Sequence, residues 1–254
     1  MFIYSFGAIS DRGDIRKENQ DSVLYLSGKI EGQKAALAVV ADGMGGLSYG
    51  AQTSRYITTQ FERWWQEEFP EIIRDGMDRE EDLRELLEQE IWEINRAILA
   101  FNHRLNCRSG STLSLLFLYR NNYYIENIGD SRIYRWRNRQ LRQLTQDQSL
   151  AAKMVQKGQI SEEEAQHCAM KNKLTMCMGM FSVPESNFYT GELMKGDCFL
   201  LCSDGFYHPL KREQIEKVIG EKELDAAEKV FYLRSLMEAG KAADNVSAIV
   251  VEIR

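Results

Sequence analysis

Residues 34–46 read Lys34-Ala-Ala-Leu-Ala-Val-Val-Ala-Asp42-Gly-Met-Gly-Gly46, an apolar run that stops abruptly at a carboxylate and three glycines. The run from Ala35 to Ala41 predicts a buried strand. The glycines behind it permit a turn or a close backbone approach to a ligand. Upstream, Phe2–Ile9 and Ser22–Ser27 read as further strands. Downstream, two helices are expected. The first spans about Tyr49 to Phe69 with Ile57, Phe61, Trp64 and Trp65 on one side; the second carries Leu83, Leu86, Leu87, Ile91, Ile94, Ile98 and Phe101 at helical spacing. Dense charge covers the other side of each helix, so both stripes read as core facing a sheet.

From Ser111 the pattern returns to strands. Thr112–Tyr119, a turn at Asn121-Asn122, Tyr123–Ile128, a Gly129-Asp130 corner, Ser131–Arg137 and Gln140–Leu144 predict an antiparallel meander. A helical segment interrupted by Gly158 covers about Ser149–Cys168, strands flank Lys195-Gly196-Asp197, helices follow at Lys211–Val218 and Asp225–Glu238, and Val246–Ile253 closes as a strand. Strands, two helices, strands, helices and a last strand argue for an α+β fold rather than a parallel sheet. No Gly/Ser-rich or low-complexity stretch marks a linker, so one domain over residues 1–254 is expected.

Composition excludes several classes. A hydrophobic fraction of 44% is that of an ordinary globular protein, with no run suited to a membrane. Net charge of −6 argues against nucleic acid as the main partner. Arg132, Arg135, Arg137, Arg139 and Arg142 form a local basic stretch, which at near-alternating spacing reads as the solvated face of a hairpin. No secretory leader opens the chain, and five cysteines without a Cys-x-x-Cys pair suggest neither a disulfide framework nor a zinc site. Reduced thiols in a cytoplasm fit best. Cys198 and Cys202, in Cys-Phe-Leu-Leu-Cys, read as small core residues, and His103, His167 and His208 as bystanders, since their spacing suits no shared metal.

Four acids recur beside apolar strands: Asp42, Asp130, Asp204 after Phe-Leu-Leu-Cys-Ser, and Asp244 before Asn-Val-Ser-Ala-Ile-Val-Val. Taken singly, Asp42, Asp130 and Asp204 read equally as turn residues. Converging in one cleft, such carboxylates would repel unless cations neutralised them, and hard oxygen ligands suit Mg²⁺ or Mn²⁺. Arg16, in Arg-Lys-Glu-Asn-Gln-Asp, offers a fixed cation able to hold a phosphate bidentately, against the plainer reading of a surface arginine.

In order, Arg16 with Asn19-Gln20-Asp21, Asp42-Gly-Met-Gly-Gly46, Gly110-Ser-Thr-Leu113, Gly129-Asp-Ser-Arg132, Leu144-Thr-Gln-Asp-Gln-Ser-Leu150, Leu200-Leu-Cys-Ser-Asp-Gly205 and Asp244-Asn245 span nearly the whole chain. This series resembles the metal-dependent serine/threonine phosphatases of type 2C, in their compact bacterial form. The resemblance implies a four-layer α-β-β-α sandwich with a metal cleft at one end. It implies that Asp42 bridges two Mn²⁺ or Mg²⁺ ions, that the Gly43 carbonyl ligates one and Asp204 and Asp244 the other, and that Asp130 with Asp204 forms a third, weaker site. Arg16 would grip the substrate phosphate, with Gln20, Asp21 and Asn245 supporting the site. Water activated between the cations would attack phosphorus in line, without a phosphoenzyme.

The partners implied are a phosphoprotein substrate and an opposing serine/threonine kinase, with the chain itself a monomer. Residues 149–180 resemble the flap beside the cleft, although Gln166-His-Cys-Ala departs from the usual His-Pro pairing. Other departures are Gln20, where many relatives carry glutamate, Met44 in place of a histidine of several eukaryotic members, and Gln148 in place of a frequent histidine, read here as structural. Gln20 motivates the alternative of a binding module that keeps the fold without turnover; the three aspartates Asp42, Asp204 and Asp244 speak against it. A phosphatase for one dedicated regulator or a small phosphorylated metabolite is the other alternative.

Overall fold

Alternation along the strands explains how the layers stack. The computed structural model describes residues 2–44, 49–77, 79–237 and 242–254, apart from the side chain of Gln166. Expectations for Gly45, Gly46 and Glu238 lie outside the described residues. Strands β1 (Tyr4–Asp11), β2 (Asp21–Ile30), β3 (Gln33–Met44), β4 (Gly110–Ser111), β5 (Leu113–Tyr119), β6 (Asn122–Ile128), β7 (Arg132–Arg137), β8 (Gln140–Gln143), β9 (Asn187–Glu192), β10 (Cys198–Cys202) and β11 (Val246–Ile253) form two sheets. One runs β1-β11-β10-β7-β8; the other runs β2-β3-β5-β6-β9, with β4 paired to β3. All pairings between these strands are antiparallel.

On β3, Ala36, Ala38 and Val40 meet Phe199, Leu201, Ile249 and Val251 of the facing sheet, while Ala35, Leu37, Val39 and Ala41 face helices. Both faces are covered, which is why the run is apolar without alternation. The helices on that side are α1 (Tyr49–Arg63), α2 (Phe69–Arg74) and α3 (Glu80–Leu105). Their buried stripe includes Ile57, Phe61, Trp64, Leu83, Leu87, Ile91, Ile94 and Ile98, as the spacing predicts. The first expected helix is not uniform: Trp64–Glu68 form a π-turn between α1 and α2. Pro70 follows in the first turn of α2, where a missing N–H costs little. The wider turn lets Trp64 stack on Phe69 at 5.1 Å.

The second sheet is covered by α6 (Asp204–Tyr207), α7 (Arg212–Ile219) and α8 (Ala226–Ser235), packed on Cys198, Leu200, Cys202, Ala248 and Val250. Both cysteines are therefore core, and the four layers form the expected α+β sandwich. The segment with Gly158 divides into α4 (Leu150–Gln156) and α5 (Glu162–His167), with Gly158 at φ +67° between them. Among the described residues no helix is long and apolar enough to cross a membrane.

The basic hairpin reading needs correction. Arg139 and Arg142 are exposed, but Arg132 forks onto Asp147, with Nη2 at 2.7 Å from Oδ2. Arg137 pairs with Asp197, whose side chain is fully buried. The alternation was right for the backbone, yet β7 pairs on both sides, with β10 and with β8, so its arginines meet partners from neighbouring segments.

Candidate functional site

Antiparallel alternation brings the starts of β2, β7 and β11 and the ends of β3, β6 and β10 to one edge of the sandwich. Asp21 opens β2 and lies directly opposite Asp42 in the ladder. Asp42 is not in a turn; β3 continues through Met44, and Gly43 and Met44 pair with Ser111 and Gly110 of β4. Asp130 follows β6, Asp204 opens α6 behind Ser203, and Asp244 precedes β11. The six-stranded sheet thus supplies Asp21, Asp42 and Asp130, and the five-stranded sheet supplies Asp204 and Asp244.

Their electrostatics show that these acids share one cleft. Burial pushes Asp42 well above the ordinary carboxylate range, and Asp21, Asp204, Asp130 and Asp244 add repulsion. Burial, then Asp204 and Asp147, raise Asp130 to about 8, with Arg132 easing it. Asp204 rises to about 6 through burial and Asp244, moderated by the Gly205 N–H, the Asp42 carboxyl and Arg16. Asp21, raised to about 7 mainly by burial, accepts from Ser203 Oγ at 2.9 Å through Oδ2. Its Oδ1 is buried without a hydrogen-bond partner. Such crowding disfavours full ionisation of the protein alone.

The donor set fits hard divalent cations. Four of the acids are pushed upward by burial and by one another, one buried oxygen is orphaned, and a backbone cradle lies beside them. A Cβ on Gly43 would collide with Gly50 O and Gln20 O, so only glycine permits this approach. Among the described residues no group of three or more His, Cys, Asp or Glu side chains is placed to hold a metal ion by itself. An open arrangement of carboxylates suits Mg²⁺ or Mn²⁺, which complete their shells with water and substrate oxygens.

Arg16 reaches the same cleft. Its Nη2 is 2.8 Å from Asp244 Oδ2, and more than half of its side chain remains exposed and open to an approaching ligand. Asn245 fixes the loop that carries it: Nδ2 donates to Arg12 O and Glu18 O at 2.8 and 2.9 Å, and Oδ1 accepts from Gln20 N at 2.9 Å. Gln20 contributes mainly through its backbone, accepting at its carbonyl from Gly43 N and from Ser54 Oγ. Its amide group rests near Gly50.

Every sequence-predicted residue of the site, Arg16, Gln20, Asp21, Asp42, Gly43, Asp130, Asp204, Asp244 and Asn245, gathers at this edge. Thr112 was missed: its Oγ1 accepts from Asp42 N at 3.0 Å and its own N donates to Asp42 O at 2.9 Å. Ser203 was also missed; the signals were present, since both lie inside the quoted motifs. His208 is less of a bystander than its spacing suggests. It stands 3.7 Å from Asp204 Oδ2 and against the Tyr207 ring, and burial, Lys171 and Arg132 push it down to about 4. His103 and His167 are exposed.

Comparison with known proteins agrees with this geometry. The family described as Protein phosphatase 2C matches residues 16–240. The serine/threonine phosphatase stp of Listeria monocytogenes is 30% identical over 247 residues, covering 96% of this chain and 93% of its own. The S. agalactiae serine/threonine phosphatase superposes with a TM-score of 0.87 at 25% identity, covering 99% of this chain and 100% of that one. The catalytic domain of the serine threonine protein phosphatase PstP, in complex with two manganese ions, superposes with a TM-score of 0.83 at 28% identity, covering 100% and 99%.

Proposed function

The chain belongs to the protein phosphatase 2C family and is a metal-dependent serine/threonine phosphatase that takes Mn²⁺ or Mg²⁺, and we propose that the Asp42-centred cleft is its active site. The observation that carries this is the convergence of Asp42, Asp204 and Asp244 from two different sheets, beside an exposed arginine. Asp42 and the Gly43 carbonyl would hold cations from one side, Asp204 and Asp244 from the other. Asp130 with Asp204 would hold a third, weaker one. When bound, the cations supply Lewis-acid charge that activates water and offsets charge on the phosphoryl oxygens.

The chain's own groups then do the positioning. Arg16 turns its guanidinium to the phosphate oxygens, giving charge-assisted bonds of fixed geometry. Asn245 keeps the Arg16 loop in reach, while Thr112 and the Ser203–Asp21 bond hold the carboxylates on rigid strand ends. Neither the buried Cys198 and Cys202 nor Cys177, whose thiol burial pushes up to about 11, is set up as a nucleophile. The substrate is a phosphoprotein, and an opposing serine/threonine kinase supplies it. The protein acts as a cytoplasmic monomer, as one catalytic unit over residues 1–254 with residues 149–180 as a flap.

Hydrolysis of a phosphothreonine peptide with Mn²⁺, Mg²⁺ or chelator, run beside Asp204→Asn, tests the reading. Turnover should need the metal and vanish in the variant. A folded protein inert in every metal would refute it and make Gln20→Glu the next substitution to examine.

A further inference from the structure

Gln148 stands between β8 and α4, outside the acid cluster, and all of its polar groups are engaged. Its N–H donates to Gly129 O at 2.8 Å, and its carbonyl accepts from Thr175 N at 2.7 Å. Its Oε1 accepts from Gly129 N at 2.9 Å, while Nε2 donates to Glu185 O at 2.8 Å. One residue therefore ties together the corner that carries Asp130, the end of segment 149–180, and the strand approach behind it.

The corner transmits its position inward. Gly129 has φ +98°, and a Cβ there would meet Thr112 Cγ2 at 2.6 Å, so the corner lies directly on the threonine that brackets Asp42. The neighbouring residue anchors the other side: Asp147 takes the Arg132 fork, and Arg132 lies 3.8 Å over the Tyr207 ring, whose hydroxyl donates to Asp130 O at 3.2 Å. A cavity of about 180 Å³, lined by Asp147, Gln148, Lys153, Thr175 and Glu185, opens beside Gln148. Hydrogen bonds rather than packed carbon thus hold this joint.

We propose that Gln148 is a positioning residue whose side chain latches the approach to β9 at Glu185, immediately after segment 149–180, to the Gly129–Asp130 corner, so that the placement of that approach and of the Asp130 carboxylate are set together. An amide suits the task because it accepts from Gly129 and donates to Glu185 at fixed charge. A neutral imidazole can do both, a carboxylate only the first, and an alkyl side chain neither. The metal arm of the test rests on the role proposed above for Asp130; the cleavage arm does not.

Gln148→Leu, Gln148→Glu and Gln148→His are compared at pH 8 by limited proteolysis within residues 181–186 under chelation, and by the Mn²⁺ concentration giving half-maximal thermal shift and half-maximal turnover. In Gln148→Leu cleavage should be about tenfold faster or more, as expected for a lost hydrogen bond that holds a local unit closed. Half-saturating Mn²⁺ should rise with it. Gln148→His should restore both readouts, and Gln148→Glu should fall between. A folded Gln148→Leu with unchanged cleavage and Mn²⁺ response overturns the proposal, as does faster cleavage with an unmoved Mn²⁺ response. If Gln148→Leu does not fold, equal behaviour of the His and Glu variants overturns it. Wild-type protein indifferent to Mn²⁺ would sink the functional reading instead, and the cleavage ranking would still decide the latch.

Discussion

Glu126 provides a quantitative test of the helix-covered side of the six-stranded sheet. It lies in β6, fully buried, and among the described residues neither carboxylate oxygen has a well-formed hydrogen bond, Ser186 offering only a weak one. Burial, aided by Glu88, pushes it from 4.5 to about 7, and Ser186 and Arg84 offset this only in part. Because the folded value is the higher one, the native state binds the extra proton between these limits, and stability falls as pH rises through them. Linkage at about 1.36 kcal/mol per pH unit gives a cost of about 1 kcal/mol at pH 5 and about 3 kcal/mol at pH 8. Glu126→Gln removes the titration but leaves an amide in the same pocket, a fixed cost independent of pH. Urea unfolding of both proteins, chelated, at pH 5 and pH 8 isolates the difference, since every other acid is common to both. The variant should gain about 2 kcal/mol relative to wild type between the two pH values. An unchanged difference would refute the claim that Glu126 is held without a well-formed hydrogen bond in the core.

Three further outcomes are expected. Asp42→Asn should raise the Tm of the chelated protein at pH 8 by removing a buried carboxylate and the repulsion around it, while abolishing the Mn²⁺-induced rise in Tm; scanning calorimetry with and without metal reads both. Gly43→Ala should lower kcat/KM by about 100-fold or more, because the new methyl group collides with the Gly50 carbonyl of α1 and the Gln20 carbonyl at the entry to β2 and so displaces the backbone beside Asp42; peptide kinetics at saturating Mn²⁺ measure it. Arg16→Ala should lower kcat/KM for a phosphopeptide by roughly 10–100-fold, the worth of a hydrogen bond to a charged group. Its Tm should stay within a degree or two, because the pair with Asp244 is largely exposed.

What the sequence made legible follows from which interactions are local. Strand and helix stripes depend on neighbours two to four residues away, so Ala35–Ala41 and the Leu83–Ile98 series gave the elements directly. The acids were legible as a group because each ends or begins an apolar strand. Partners drawn from distant segments were not legible. Arg132 meets Asp147 across the β7–β8 turn, Arg137 meets Asp197 some sixty positions away, and Gln148 bonds Glu185 across the whole segment between them. Nothing in local spacing distinguishes those side chains from solvated ones. The π-turn at Trp64–Glu68 was hidden for a related reason, since the apolar stripe continues through it.

The division of the acids between the two sheets also explains how metal affinity is linked to the stability of this end of the fold. In the protein alone, Asp42 of one sheet repels Asp204 and Asp244 of the other, which tends to spread the sandwich where it is open. The counterweights are few and polar: Ser203 to Asp21, Asn245 to the Gln20 backbone, and Arg16 to Asp244. Cations held between the sheets would reverse the sign of the cross-sheet term, from repulsion to a shared bridge. Metal binding should therefore protect the backbone amides near the ends of β3 and β10 against hydrogen exchange more than those at the opposite ends of the same strands. Uniform protection along the strands would mean that the carboxylates are held apart by the frame alone and that the cations do not couple the sheets.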